Sequence, residues 1–247
     1  MFVVTMYVLQ IPFIPDAIKS SDWVILFISG MIGFGIADML FFKGLNRIGA
    51  GHVAIIDCLY GPFVIILSIV MLSEPLGATL FLGIGLMILA IIIGTGNTQG
   101  SENKYDIKGI AMAVSAILLM AIAIVIAKPV IDHVNPFWVI IVRLLGGMLI
   151  LAPMILKRKY RMEAAKAFKP NKSWKISIPA AIVGAYLAMI FWIIGVKHTY
   201  ATVASVINQS STVFVFPFAA IILKEKLTIR KGIAVLLGIA GGVLAAL

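Results

Sequence analysis

Residues 33–76 read GFGIADMLFFKGLNRIGAGHVAIIDCLYGPFVIILSIVMLSEPL, and residues 184–227 read GAYLAMIFWIIGVKHTYATVASVINQSSTVFVFPFAAIILKEKL. A constant shift of 151 positions lays one on the other without a gap: Gly33 meets Gly184, Gly44 meets Gly195, Ala50 meets Ala201, Ile56 meets Ile207, and Glu74 meets Glu225. Apolar coincidences carry little weight in so apolar a chain. The glycines and the Glu-x-Leu that closes each copy, Glu74 to Leu76 and Glu225 to Leu227, carry more. A repeat of this length means one structural unit used twice.

Hydrophobic residues make up 62% of the chain and charged residues 12%, with a mean hydropathy of +1.13. A soluble domain cannot hide that much apolar surface. Windows of about 20 residues carry almost no charge, and at ~1.5 Å per residue each crosses a ~30 Å hydrocarbon layer. The fold class is therefore an all-α, polytopic membrane helix bundle. Spans are expected near residues 23–42, 50–72, 76–95, 108–127, 136–156, 176–196, 201–223 and 229–247. Residues 1–14, too short to span and stopped by Pro12 and Pro15, read as the end of a further helix, so about nine helices are expected. The same stretch lacks a basic leader and a small-residue cleavage site, so it does not read as a signal peptide.

The polar stretch 97–106 is the linker between a first repeat, residues 1–97, and a second, residues 107–247. The second repeat holds five expected spans. The first holds three and a fragment. Pro12 matches Pro153, which puts Met1 opposite Val142, so the counting predicts one more helix, and the start of the next, upstream of Met1. Five is odd, so equivalent helices run in opposite directions and the repeat is inverted. Small residues at Gly33 and Ala37, Gly184 and Ala188, Ala90 and Gly94, and Gly238 and Gly242 suit close helix contacts.

The net charge of +10 does not point to nucleic acid, because the basic residues gather in loops between spans. Loops after residues 42, 95, 156 and 223 hold most of them; the opposite loops hold only Lys19, Lys128 and Lys197. The basic loops are therefore expected in the cytoplasm and the C-terminus outside. The segment from Lys157 to Lys175 also suits anionic membrane lipids. The single cysteine, Cys58, excludes an internal disulfide and a cysteine metal cluster. The sequence is compatible with a homodimer and does not decide it.

Several motifs stand in order along the chain, some of them in both halves. They are Pro136 with Arg143-Leu-Leu, Gly44-Leu before Ala50, Gly195-Val before Ala201, Tyr60-Gly-Pro62-Phe-Val before Leu-Ser-Glu74-Pro-Leu, Thr212-Val-Phe-Val before Leu-Lys-Glu225-Lys-Leu, and Gly83 in the following helix. In this order the chain resembles the drug/metabolite transporter superfamily, EamA type, over nearly its whole length. The resemblance implies ten helices in two inverted repeats around a central cavity. It also implies export or exchange of a small metabolite, amino acid or drug across the cell membrane. No protein cofactor is implied. Two other readings stay open: a membrane-embedded enzyme acting on a lipid, and an accessory bundle that transports nothing. The chain lacks the nucleophile-elbow, zinc-helix and phosphate-loop motifs, which argues against an enzyme. His52 and Asp57 imitate an acyltransferase pair, yet five positions on a helix turn them to different faces.

Ionisable residues inside a span are functional candidates, because lipid makes them costly. Asp57, with Tyr60 close behind it, lies opposite Asn208 in the repeat. Asn208, Gln209, Ser210, Ser211 and Thr212 form an unbroken polar run. Two such patches at mid-helix suit a solute site at a repeat interface. Asp57, Tyr60, Asn208, Gln209, Ser211 and Trp192 are thus the expected solute contacts. Asp38 or Asp57 would titrate if protons or another ion drive transport. Arg143 would pair with Asp38 or an anionic solute, or snorkel to the head groups. Glu74 and Glu225 are expected at helix ends near the interface, in packing duty. Tyr7, Trp23, Trp138 and Trp174 are expected in the aromatic belt.

Overall fold

A computed structural model describes residues 1–12, 18–57, 59–74, 77–95, 106–156, 161–162, 174–209 and 229–246. All regular elements among the described residues are helices. They are α1 (Phe2–Val8), α2 (Ser20–Gly30), α3 (Asp38–Asp57), α4 (Tyr60–Leu72), α5 (Ala78–Thr95), α6 (Ile107–His133), α7 (Pro136–Leu156), α8 (Trp174–Ala180), α9 (Ala188–His198), α10 (201–209) and α11 (Ile229–Ala246). Among the described residues, four helical runs are long and apolar enough to cross a membrane: Ser20–Gly49, Ile107–His133, Pro136–Met154 and Trp174–His198.

The repeat is visible in the backbone. A π-helical stretch, Met31–Ala37, joins α2 to α3, and a second, Ala181–Leu187, joins α8 to α9. These fall within one residue of the shift that relates the two halves. Gly49 then breaks the chain with φ 78° and ψ 164°, a conformation that favours glycine. Its repeat mate, Tyr200, is also outside a helix, and helix resumes at residues 50 and 201. The span expected at 23–42 thus runs to Gly49, several residues past its expected end at Phe42. The next expected span, 50–72, is in two pieces. Helix α3 ends at Asp57, Leu59 donates its N–H to the Ile56 carbonyl at 2.9 Å, and α4 begins at Tyr60. Pro62 sits in the first turn of α4, where its missing N–H would lack an intrahelical partner anyway. At the other end of the chain, α1 closes at Val8, and Gln10 in a left-handed conformation (φ 53°) turns the backbone before Pro12.

The helices form two compact units, and each draws on both sequence halves. One holds Met1–Asp38 and Ile126–His198; the other holds Met39–Val125 and Thr199–Leu247.

Glycines set the packing of the first unit. A Cβ on Gly30 would collide with the Arg143 carbonyl, and one on Gly146 with the Phe27 carbonyl. A Cβ on Gly147 would lie 2.7 Å from the Phe34 Cβ, and one on Gly35 2.7 Å from the Ile150 Cβ. Helix α7 therefore lies against α2 and the first π-helical stretch at backbone contact distance, which small residues alone permit. The second π-helical stretch meets α1 instead. Phe2 stacks on Tyr186 with ring centroids 4.7 Å apart, and the Thr5 and Tyr186 hydroxyls share a hydrogen bond. Tyr186 is the repeat mate of Gly35, and α1 is the mate of the later part of α7. Each π-helical stretch thus receives the second helix of the other half.

Trp138 is buried at 2% exposure, with its ring edge-on to Trp23 at 4.4 Å. It belongs to the interior rather than to the expected aromatic belt. In the second unit α5 packs along α11, and residues 78 and 229, where they begin, are one repeat shift apart. Gly44 lets α6 approach closely: a Cβ there would lie 3.1 Å from Ala113 and from the Gly109 carbonyl.

Candidate functional site

The break between α3 and α4 leaves the last carbonyls of α3 without helical donors. Gln209 fills one of these vacancies. Its Nε2 donates to the Asp57 carbonyl oxygen at 2.8 Å, and its Cγ lies 3.7 Å from where a Cβ of Gly61 would stand. Further along, Val206 joins Ile65 and Leu80 in a buried cluster, with Val203 and Ile84 against it. At the far end Glu74 reaches the start of α10. Its Oε1 accepts the Ala201 N–H at 2.8 Å, and its Oε2 accepts the Thr202 N–H at 3.0 Å and the Thr202 hydroxyl.

These contacts fix direction. The start of α4 lies by Gln209, and Glu74, just after α4, meets the start of α10. Helices α4 and α10 therefore run antiparallel.

Glu74 is placed for its task by its own backbone. Ser73 ends α4 in a left-handed conformation (φ 53°), and the Glu74 N–H points back to the Ser68 carbonyl at 3.4 Å. The carboxylate then meets the positive end of the α10 dipole and orphan N–H groups. At 8% exposure it is a buried helix cap, not a head-group residue. Packing duty was legible in the sequence; its partner was not, because Glu74 and Ala201 lie 127 positions apart.

The remaining expected contacts divide between the units. In the second unit Asp57 and Tyr60 are half-buried, Gln209 is buried and Asn208 is exposed. Ser211 and Glu225 lie outside the described residues. In the first unit Asp38 is half-buried at the start of α3, and Trp192 is half-buried in α9. Arg143 is buried, with its guanidinium 4.9 Å from the Phe34 ring centroid. This is a cation–π distance, and the side chain is held in protein rather than extended to the head groups.

A second polar cluster in the first unit was missed in the sequence. Asp22 caps its own helix through the Lys19 N–H at 3.2 Å, and His133 Nε2 lies 3.2 Å from the same carboxylate. His133 Nδ1 is 2.8 Å from the Pro129 carbonyl, and Lys197 Nζ donates to the Val134 carbonyl at 2.7 Å. Lys128 pairs with Asp132 one turn away. Of the three lysines of the sparsely charged loops, Lys197 ties the end of α9 to the residue after α6, and Lys128 pairs within α6.

The model of the EamA-like transporter family matches residues 1–95 and 107–247. A protein of Archaeoglobus fulgidus named "Uncharacterized transporter" is 26% identical over 209 residues, which cover 84% of this chain and 70% of that protein. A protein of Methanothermobacter thermautotrophicus with the same name is 23% identical over 219 residues, covering 88% of this chain and 62% of that one. The chain thus spans about two thirds of the length of these relatives. A crystal structure with 16% identity has the same fold, with a TM-score of 0.76 over 99% of this chain and 81% of that one. The doubled helical unit and the match over both halves agree, and the chain belongs to the EamA-like transporter family.

Proposed function

We propose that the protein is a secondary transporter of a small metabolite, amino acid or drug-like solute, working by alternating access as an exporter or exchanger in the plasma membrane. The bond from Gln209 to the Asp57 carbonyl, beside the antiparallel helices α4 and α10, supports this reading most. It joins polar groups of the two sequence halves next to an apolar cluster. A polar residue kept in such surroundings is costly, and a site at the repeat interface is a use for it. A solute amine or hydroxyl donating to the Asp57 carbonyl would replace the Gln209 amide, and the released amide would turn to the solute.

In this reading Asp57, Tyr60, Asn208, Gln209, Ser211 and Trp192 contact the solute. Asp38 and Arg143 serve ion coupling or charge balance, with protons or another ion driving transport. Counterflow in liposomes loaded with a panel of amino acids and cationic drugs tests the reading. Uptake that rises over empty liposomes and falls at least tenfold in Asp57→Asn supports it. Uptake by Asp57→Asn equal to the parent, with the same pH dependence, removes Asp57 from the mechanism.

A further inference from the structure

The geometry assigns Glu74 as the positioning residue for α10, the helix that carries Asn208 and Gln209. The helix is interrupted at Tyr200, just before the described part of α10, residues 201–209. Glu74 supplies the fixed point: a buried carboxylate that gathers two main-chain N–H groups and one hydroxyl at the first two residues of α10. Two turns further on, Gln209 is bonded to the Asp57 carbonyl. Both anchors come from residues 57–74, so one segment of the first half holds α10 at two points about two turns apart. The apolar contacts between them are nonspecific along the axis and allow sliding or tilt; the carboxylate at the dipole end does not.

The two anchors differ in what can replace them. A solute can take the place of Gln209 at a carbonyl. The three donors gathered by Glu74 are 8% exposed or less, away from competing water. Glu74 therefore holds the start of α10 while its solute end exchanges partners. Helix α10 pivots about Ala201 and Thr202 rather than translating. The functional meaning of that pivot rests on the proposed solute role of Asn208 and Gln209; the positional role of Glu74 does not.

The test uses the full chain in liposomes, with Cys58→Ala and spin labels on cysteines at Ile107 and Asn208, both exposed and both in the second unit. The distance distribution between the labels is recorded with Glu74 intact, with Glu74→Gln and with Glu74→Ala. An intact anchor gives a single narrow peak. Glu74→Ala broadens it at least twofold. Glu74→Gln, which keeps one acceptor and turns an amide N–H2 toward donors, falls between. If Glu74→Ala does not yield a monodisperse protein, Glu74→Gln alone decides. The same narrow peak in whichever folded variant is obtained overturns the assignment. Counterflow with Gln209→Ala, Glu74 intact, reports separately on the solute role, so either claim can fail alone.

Discussion

Gln209 gives its side-chain N–H to the main-chain carbonyl of Asp57 at 2.8 Å, joining the two halves of the chain across 152 positions. The amide satisfies a helix-end carbonyl that would otherwise stand without a donor among apolar side chains. Gln209→Leu, similar in size, should lower stability by about 1–2 kcal/mol, the penalty for a buried acceptor left unsatisfied. Gln209→Glu, which turns an acceptor on an acceptor, should be worse. Thermal unfolding in detergent measures both, and equal melting temperatures for parent and Gln209→Leu would remove the bond from the energetics.

The glycine contacts in the first unit predict a contrast. Gly30→Ala drives a Cβ into the Arg143 backbone, which no rotamer change relieves. It should cost roughly 1–3 kcal/mol or prevent accumulation of folded protein. Gly184→Ala meets nothing within 4 Å and should leave the melting temperature unchanged or raise it. Size-exclusion profiles and melting curves of the two variants make the comparison.

Gly49 predicts a conformational penalty instead of a steric one. No atom lies within 4 Å of a Cβ there, yet φ is 78°. Gly49→Ala should destabilise by about 1 kcal/mol through strain alone. Gly85→Ala, equally uncrowded but inside α5, should be neutral or stabilising. If the two alanine variants melt alike, the kink at Gly49 is not the source of the penalty.

The lysine and arginine count predicts orientation. In a Cys58→Ala background, a cysteine replacing Asn171, in the basic stretch between Lys157 and Lys175, should resist an impermeant thiol reagent on intact cells. It should react after permeabilisation. Labelling of intact cells would reverse the orientation.

Much of this fold was legible because a membrane chain repeats its unit in plain residue types. Gly44 with Gly195 and Glu74 with Glu225 gave the shift, and the backbone follows it down to the paired breaks at Gly49 and Tyr200. The repeat set Asp57 opposite Asn208, and it is the next residue in that polar run, Gln209, that bonds the Asp57 carbonyl. The break between Asp57 and Tyr60 was less so: apolar content runs through it, and only Gly61 and Pro62 hinted at an interruption. The partner of Glu74 was hidden, since a carboxylate at a span end looks the same in sequence whether it faces head groups or the N-terminus of another helix. The same holds for Trp138, whose position at a span end suited the belt while its contact with Trp23 lay 115 positions away. Long-range pairs of this kind depend on how helices dock, and hydropathy carries no information on that.

The antiparallel pairing of α4 and α10 underlies the functional claims, and cysteine cross-linking in membranes tests it most directly. In a Cys58→Ala background, Gly61→Cys with Gln209→Cys and Glu74→Cys with Thr202→Cys should form disulfides under mild oxidation. The swapped pairs, Gly61→Cys with Thr202→Cys and Glu74→Cys with Gln209→Cys, are held apart by the rise from residue 202 to 209, about 10 Å at ~1.5 Å per residue, and should not. Swapped pairs that link as well as the matched ones, or in their place, would contradict the antiparallel arrangement of α4 and α10.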